Sequence, residues 1–371
     1  MKVLGIMSGT SVDSVDYVVC NFERNRAISF EKDWSVSFPR TLRQRLHAAA
    51  SNLATAHEVG QLHHDLGRFY ALGAEQGRGM GIQLAGLHGQ TIFHQPNPPH
   101  AATFQIGEPI YLARLLNVPV ISNFRAADLA LGGQGAPLAT FFHQQAFAKK
   151  GKHIAVNNLG GISNVTSIDW RDHSQPRIHA FDTGPANVLI DLAVRQGTNG
   201  RAAYDRDGKL AGRGTIHHQL IKLGLKHPFF RKAPPKSTGR ELFGEPFYRK
   251  VVAENESLST PDWAATFAEF TARSIALNYK HHLPSTPDLV ILCGGGALNP
   301  FLVERIRIAL AELNPHTQVS TSEEFGWHPA HIEAAAFALL AWRTHQKLPG
   351  NIPATTGASE PALLGQITQP G

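Results

Sequence analysis

The sequence predicts an α/β protein made of two similar halves with a ligand cleft between them. An apolar hairpin, a further apolar strand and a helix occur in that order before residue 125, and the same order recurs after residue 150. Each half carries a glycine-containing turn between its first two predicted strands. Elements that alternate in this way form packed layers of helix and sheet, and clefts between domains commonly hold ligands.

Short apolar runs predict the strands, and apolar residues at three- and four-residue spacing predict the helices. The first half has strands at 3–7 and 15–20, helices at 42–53 and 58–72, a strand at 84–87, a helix at 108–116 and a strand at 118–121. The second half has strands at 153–157, 165–168 and 178–181, a helix at 187–194, a strand at 289–293 and helices at 300–313 and 332–342. We therefore expect an N-terminal lobe of residues 1–124, completed by the C-terminal tail 346–371, and a C-terminal lobe of residues 125–345.

Composition excludes several classes of protein. The 371 residues include 35 Lys and Arg against 29 Asp and Glu, a net charge of +6, but the densest basic stretch, 222–250, is interrupted by prolines, aromatics and acids. Nucleic-acid binding is therefore not expected. Neither a transmembrane run nor a signal-peptide pattern is present, and two cysteines exclude a disulfide scaffold. We expect a cytoplasmic enzyme with anionic small-molecule substrates and no membrane partner.

The first turn has the composition of a phosphate-binding loop. Small residues from Gly9 to Ser11 let successive backbone N–H groups face one concavity, which suits a phosphate. Asp13 and Asp16 add oxygen donors for Mg²⁺, directly or through its waters. The turn is not a P-loop, because it lacks the Gly-Lys-Ser/Thr sequence. An ordinary polar turn with exposed aspartates is the alternative interpretation.

Two further glycine segments support a nucleotide site. Residues 158–166, which include Gly160, Gly161 and Asn164, repeat the turn chemistry in the second half, so two turns would hold a polyphosphate from both sides. Residues 292–299 place three glycines between a strand and a helix, where a base or ribose would lie against bare backbone; they are Gly294, Gly295 and Gly296, followed by Asn299. The G-x-G-x-x-G spacing of dinucleotide-binding proteins is absent there.

Asp182 is the candidate catalytic residue. It follows an apolar strand and precedes a predicted helix, which is where open α/β sheets bind ligands. One interpretation makes Asp182 or Thr183 the cap of that helix. The other makes the Asp182 carboxylate a general base that faces the cleft. His88 also follows an apolar strand directly, a position that fits a substrate wall.

Together these segments resemble the anhydro-N-acetylmuramic acid kinase family, within the actin, sugar-kinase and Hsp70 nucleotide-binding superfamily. They run in the family's order across nearly the whole chain. The segments are 5–16, 88–91 (His-Gly-Gln-Thr), 105–108 (Gln-Ile-Gly-Glu), 124–138, 158–164 (Asn-Leu-Gly-Gly-Ile-Ser-Asn), 181–187 (Phe-Asp-Thr-Gly-Pro-Ala-Asn), 236–241 (Lys-Ser-Thr-Gly-Arg-Glu) and 294–299.

The resemblance implies duplicated actin-like, ribonuclease H-like lobes with an interlobe ATP and sugar cleft. It implies an ATP- and Mg²⁺-dependent kinase that opens 1,6-anhydro-N-acetylmuramic acid with water and phosphorylates O6 during cell-wall recycling in a bacterial cytoplasm, and it implies a homodimer. Asp182 takes the role of the base. Arg125, Asp128 and Glu333 are expected to contact the sugar. The residues expected to contact the nucleotide are Gly9, Thr10, Ser11, Val12, Asp13, Ser14, Val15 and Asp16.

The sequence departs from the family pattern at Ser14, where the family usually has glycine. If the glycine has a positive φ, Ser14 carries backbone strain of roughly 1 kcal/mol or more. Two alternative functions remain open from the sequence. A plain sugar kinase would need no base for water, and an ATP-binding chaperone-like module would lack a sugar pocket.

Overall fold

A computed structural model describes residues 1–9, 11–23, 28–96, 99–172, 174–253 and 257–371. The strands are β1 (Lys2–Ser8), β2 (Ser14–Asn21), β3 (Ser29–Ser37), β4 (Leu84–Gln95), β5 (Ala102–Ile106), β6 (Val120–Ser122), β7 (His153–Leu159), β8 (Ile162–Asp169), β9 (Arg177–Pro185), β10 (Leu289–Cys293), β11 (Gln318–Thr321) and β12 (Gln366–Thr368). The α-helices are α1 (Arg40–Ala50), α2 (Ala56–Ala74), α3 (Ile110–Leu116), α4 (Ala126–Ala130), α5 (Thr140–Phe147), α6 (Asn187–Gly197), α7 (His218–Gly224), α8 (Arg240–Phe243), α9 (Glu245–Ala253), α10 (Thr260–His282), α11 (Pro300–Leu313), α12 (Ile332–His345) and α13 (Pro353–Thr356). Within the described ranges, no helix combines the length and the apolar character that crossing a bilayer requires.

The chain divides into two compact units, residues 1–146 with 331–371 and residues 147–330. The first unit contains a sheet in the order β12-β6-β4-β1-β2-β3, with β5 paired to β4. Strands β1, β2 and β3 are antiparallel neighbours, whereas β1, β4 and β6 are parallel neighbours. Strand β1 is buried from Val3 to Ser8, which is typical of a strand covered on both faces.

The second unit repeats this arrangement. Its sheet has the order β11-β10-β7-β8-β9. Strands β7, β8 and β9 are antiparallel neighbours, and β7, β10 and β11 are parallel neighbours. Strand order and direction therefore match those of β6-β4-β1-β2-β3, and the predicted duplicated α/β fold is confirmed.

Helix α12 returns to the first sheet although it follows the second unit in the chain. A Cβ atom added at Gly5 of β1 would overlap the carbonyl oxygen of Ala334, and one at Gly86 of β4 would overlap that of Phe337. The two glycines therefore let the helix backbone lie directly on the sheet. This packing explains why one division between the compact units falls at 330/331, whereas the sequence predicts 345/346. The other division falls at 146/147, whereas the sequence predicts 124/125.

Candidate active site

Asp182 lies within strand β9, which continues past it to Pro185. Helix α6 begins only at Asn187, its N-cap residue is Ala186, and no side chain caps it. The capping interpretation of Asp182 is therefore wrong. The cross-strand neighbour of Asp182 is Asn164 of β8, so the two side chains lie on the same face of the sheet.

The Lys236–Thr238 segment holds Asp182 through two hydrogen bonds. The Thr238 N–H donates to Asp182 Oδ2 at 2.8 Å, and the Asp182 N–H donates to the Lys236 carbonyl oxygen at 3.1 Å. No other hydrogen bond from the described residues reaches the carboxyl. The group is therefore oriented through one oxygen while the other remains available to accept a proton.

Burial raises the pKa of Asp182 to about 7. The negative charge of Glu241 raises the pKa further, while the Thr238 N–H and the Lys236 ammonium group lower it. A carboxyl with a pKa near neutrality is a typical general base, because it is ionised at physiological pH and still binds a proton well. The geometry and the charge distribution thus both suit proton abstraction.

The glycine turn between β7 and β8 uses its carbonyl groups to hold helix α6. The Asn187 N–H donates to the Gly160 carbonyl at 3.0 Å, and the Ala186 and Val188 N–H groups donate to the Gly161 carbonyl at 2.9 and 3.2 Å. A Cβ at either glycine would make only ordinary contacts. The chain's own packing therefore does not require glycine there, and space is left for a ligand.

The segment after β10 is more tightly built. Gly294 has a φ of +79°, and a Cβ at Gly296 would lie 2.7 Å from Leu159 Cβ. By contrast, a Cβ at Gly295 would make only an ordinary contact, 4.0 Å from Asn187 Nδ2. Asn299 caps helix α11, because its Oδ1 accepts the Leu302 N–H at 3.1 Å. The structure thus explains Gly294, Gly296 and Asn299 by the fold, and their contact with a nucleotide stays a prediction.

The first turn is shaped by an unusual residue conformation. Val12 has a φ of +59° and is 3% exposed, while Thr10 lies outside the described residues. The Gln90 side chain donates to the Gly9 carbonyl at 3.1 Å and so anchors the turn. The Val15 side chain is buried in the core, and Val15 pairs with Ser8 of β1. The Ser11 contact with a nucleotide stays a prediction.

Ser14 begins strand β2, where it pairs with Ser37 of β3. Its backbone is extended, and the left-handed residue of this turn is Val12 instead. The hypothesis that Ser14 carries strain is therefore wrong. Strain of this kind belongs to Val12, a β-branched residue for which a positive φ is uncommon.

The two aspartates of the first turn have different surroundings. Asp13 is exposed and lies 3.7 Å from Arg43 Nη1. Asp16 lies on β2, where its Oδ1 accepts the Ser35 hydroxyl at 2.6 Å. His331 Nε2 lies 3.0 Å from Ser35 Oγ, and its Nδ1 contacts Asp33. A hydrogen-bonded chain therefore orients the Asp16 carboxylate.

Arg125 is a half-buried cation whose hydrogen-bond donors are oriented by neighbouring groups. Its Nη1 donates to the Gly135 carbonyl at 2.6 Å, and its Nη2 lies 2.8 Å from His88 Nε2. His88 Nδ1 lies 2.8 Å from the Gly89 carbonyl, which makes Nδ1 the protonated nitrogen and Nε2 the acceptor. Burial and the Arg125 charge hold the pKa of His88 well below its usual value.

Asp128 is fully buried and its carboxylate is used by the protein. Its Oδ2 accepts the Gly135 N–H, and its Oδ1 accepts from the side chains of Asn351 and Thr356, all at 2.7 Å. Since Gly135 in turn binds Arg125, Asp128 connects the C-terminal segment to that arginine. His88 and Asp128 thus hold Arg125 in place, and their direct contact with a sugar stays a prediction.

Glu333 lies in the first turn of helix α12 and keeps partial exposure. Burial raises its pKa, Asp16 raises it further, and the Arg125 charge opposes both. No hydrogen bond from the described residues reaches its carboxyl. Glu333 and Arg125 are thus an acid and a cation whose charges influence each other's pKa.

The structure brings the candidate residues together in two groups. Asp182 and Asn164 lie side by side in the second unit, and Arg125, His88, Asp128 and Glu333 cluster in the first. Sequence reasoning missed the influence of Lys236, Thr238 and Glu241 on Asp182. The only sequence signal for them is their presence in one of the family-like segments, because nothing local links residue 238 to residue 182.

The family model for anhydro-N-acetylmuramic acid kinase matches residues 1–370 of this chain. Curated proteins of the same name share 38% identity in Synechocystis, with 99% of this chain and 98% of that protein covered, and 40% in Picosynechococcus, with full coverage of both. A further relative from Idiomarina loihiensis is 40% identical over 98% of each chain. The chain belongs to the anhydro-N-acetylmuramic acid kinase family, and the predicted family and enzyme class, a kinase, are confirmed.

The solved structures that match this chain are more distant in sequence. A ROK family glucokinase from Streptomyces griseus, in complex with glucose and AMPPNP, matches with a TM-score of 0.41 and 14% identity, covering 92% of this chain and all of that one. A ROK hexokinase from Thermus thermophilus matches with a TM-score of 0.38 and 14% identity, covering 94% of this chain and all of that one.

Proposed function

We propose that the protein opens 1,6-anhydro-N-acetylmuramic acid with water and transfers the γ-phosphoryl group of ATP to O6, giving N-acetylmuramic acid 6-phosphate and ADP. Family membership over the whole chain supports this substrate and this role in cell-wall recycling. The observation that carries the chemistry is the Asp182 carboxyl, which Thr238 orients and whose pKa is about 7.

A single base is sufficient for this reaction. Asp182 takes a proton from water as the water oxygen bonds to the anomeric carbon. The bond from that carbon to O6 breaks, and its electron pair goes to O6. O6 then bonds to the γ-phosphorus as the bond to the β–γ bridging oxygen breaks and ADP leaves. An inverting glycosidase needs an additional acid for the leaving oxygen, but here the phosphoryl group captures that oxygen.

ATP is proposed to bind at glycine-containing turns. Gly9, Gly160, Gly161 and Gly295 support this, because a Cβ at each would meet nothing closer than an ordinary contact. Glycine at such positions lets a phosphate or ribose approach the backbone. The Asn164 amide, beside Asp182, would face the transferred group.

Mg²⁺ is proposed to be held by Asp13 and Asp16. Carboxylate oxygens are the donors that this ion prefers, and both groups keep exposed surface near the first turn, so the residues fit the ion. When bound, Mg²⁺ supplies charge neutralisation for the phosphoryl group. The Ser35 hydroxyl keeps the Asp16 carboxylate oriented for that contact.

The sugar is proposed to contact Arg125 and Glu333. Burial lowers the pKa of Arg125 to about 10, and the residue remains a cation at neutral pH. Its guanidinium suits the carboxylate of the lactyl group, while Glu333 suits sugar hydroxyl groups. His88 and Asp128 contribute by holding Arg125.

The deciding experiment measures ADP release with the anhydro sugar, with N-acetylmuramic acid, and with neither. We expect ADP release only with the anhydro sugar, because a base that activates water is needed only where a 1,6-anhydro bond has to be opened. Equal rates with N-acetylmuramic acid would indicate a plain sugar kinase. Release that neither sugar stimulates would indicate an ATP-binding module without a sugar pocket.

A homodimer and a cytoplasmic location are also proposed, on the strength of the family alone. Light scattering during size-exclusion chromatography measures the mass of the assembly directly. A mass of twice 40.4 kDa is the expected result.

A further inference from the structure

Strand β9 contains a β-bulge directly after Asp182. Asn164 of β8 pairs with Asp182, but the residue before it on β8, Ser163, pairs with Gly184, so Thr183 is the extra residue between the two pairs. Gly184 has a φ of +126°, a value that favours glycine. A bulge bends its strand and redirects the side chains beside it, and bulges are common next to active sites. The conformation of this bulge therefore affects the direction of the Asp182 carboxyl.

A buried hydrogen-bond network holds the Thr183 side chain. Its hydroxyl donates to Ser163, whose Oγ lies at 2.6 Å and whose carbonyl oxygen lies at 3.2 Å. Ser163 Oγ also accepts the side-chain amide of Asn157 at 2.8 Å, and Asn157 Oδ1 accepts the Tyr279 hydroxyl at 3.0 Å. Each of these four residues is at most 1% exposed. The bulge is thus connected through β7 to helix α10.

Asn278 of α10 holds the backbone of the same residue. Its Nδ2 donates to the Thr183 carbonyl oxygen at 2.8 Å and to the Ser274 carbonyl oxygen at 2.7 Å. The extra residue of a bulge has no partner in the neighbouring strand, and a buried carbonyl group without a hydrogen bond is costly. Asn278 supplies that bond, although its own Oδ1 is buried and accepts no hydrogen bond from the described residues. An apolar side chain would avoid this unpaired oxygen, so the bond to Thr183 is what explains an asparagine here.

Thr183 and Asn278 act on Asp182 from the opposite face of the strand. Successive side chains of a strand point to opposite faces, so Ser163, which binds Thr183, lies on the other face from Asn164 and Asp182. We propose that Thr183 and Asn278 are positioning residues of the reaction, which hold the bulge and with it the direction of the Asp182 carboxyl. They act through the backbone and make no contact with the substrate. This inference rests on the proposed role of Asp182 as the base.

The test measures kcat and both KM values for the full-length wild type and four variants. Thr183→Val keeps the shape of the side chain but loses the hydroxyl, and Asn278→Leu loses the amide at similar size. Both should lose about 10- to 100-fold in kcat, because a misplacement of about 1 Å at a catalytic group costs up to 10²-fold. The KM values for ATP and for the anhydro sugar should stay within about twofold of the wild type, since ligand binding is not altered.

Two further variants serve as controls. Thr183→Ser keeps the hydroxyl and should keep most of the wild-type kcat. Thr266→Val also removes a buried hydroxyl from the chain, but Thr266 of α10 accepts the His217 N–H at 3.1 Å and so binds the residue before α7. Its kcat should equal that of the wild type. Melting curves show which variants are folded at the assay temperature.

Several results would overturn the proposal. A wild-type kcat in Thr183→Val or in Asn278→Leu would remove that residue from it, and an equal loss in Thr266→Val would indicate a general effect of disturbing the core. A loss confined to KM would indicate altered ligand binding instead. If Thr183→Val fails to fold, Ser163→Ala, which removes the acceptor of the Thr183 hydroxyl, decides in the same way.

Asp182→Asn separates this inference from the proposed function. An inactive Asp182→Asn alongside an unaffected Thr183→Val would reject the role of the bulge while leaving the base in place. An active Asp182→Asn would reject the base itself.

Discussion

Asp182 combines a location that the sequence predicts with a pKa that only the folded chain creates. An acid within a strand–helix connection is visible from residues 178–187 alone. The groups that orient the carboxyl and set its charge, Thr238, Lys236 and Glu241, come from a distant segment. For that reason a helix cap and a general base both remained open from the sequence, and the start of α6 at Asn187 decides against the cap.

The first residue-scale prediction concerns pH. Only the ionised carboxylate can accept a proton, so kcat/KM should be low in acid, rise with an apparent pKa of about 7 and level off above it. Glu241→Gln removes a negative charge that raises this pKa, and its profile should move to lower pH. A rate that stays constant between pH 5.5 and 8.5, or a Glu241→Gln profile that moves upward, would contradict the account.

The second residue-scale prediction concerns Val12. Val12→Ala and Val12→Gly both remove the buried side chain, but only glycine adopts a φ of +59° without strain. The free energy of unfolding of Val12→Gly should therefore be about 1 kcal/mol higher than that of Val12→Ala, because a left-handed conformation costs residues other than glycine about that much. Urea unfolding of the two variants measures the difference. Equal stabilities would show that the turn relaxes in the alanine variant.

At the level of whole elements, periodicity located the apolar strands and amphipathic helices and missed those without such patterns. Strand β3 is a mostly exposed edge strand with a charged sequence, so it lacks an apolar run. Helix α10 is buried along much of its length, yet Ser259 and Asp262 form a capping box that was available as a signal. Helix α12 is evident from its alanines, but no local pattern shows that it packs on the first sheet.

Close packing of α12 on that sheet gives an element-scale prediction. Gly5→Ala and Gly86→Ala would each push a Cβ into the helix backbone, and each should lower the free energy of unfolding by at least about 1–3 kcal/mol. Gly60→Ala is the matched control, because Gly60 lies in helix α2 with nothing near its Cβ position. It should stabilise the protein by about 0.5–1 kcal/mol. The measurement is chemical denaturation, and a neutral Gly5→Ala would mean that α12 does not rest on β1 as described.

For the molecule as a whole, the repeated order of hairpin, strand and helix was sufficient to predict the duplication, because each unit must bury its own sheet. The boundaries of the units were harder to predict from the sequence, because α12 belongs to the first unit although it follows the second unit in the chain. Asp128 reinforces this return by binding Asn351 and Thr356 of the C-terminal segment. The position of Arg125 therefore depends on the C-terminal segment as well as on its near neighbours in the chain.

The most direct test of the central claim, a single base that couples ring opening to phosphorylation, is product analysis of Asp182→Asn with ATP and the anhydro sugar. An amide cannot take the proton of water, so turnover should fall by roughly 10²–10⁴, with ring opening and O6 phosphorylation lost together. Because the folded-state pKa of Asp182 is raised from 3.8 to about 7, ionisation destabilises the wild type as pH rises through that interval. The variant should therefore melt no lower than the wild type at pH 8, which excludes misfolding as the cause. More than a tenth of wild-type turnover, or accumulation of unphosphorylated N-acetylmuramic acid, would contradict the claim.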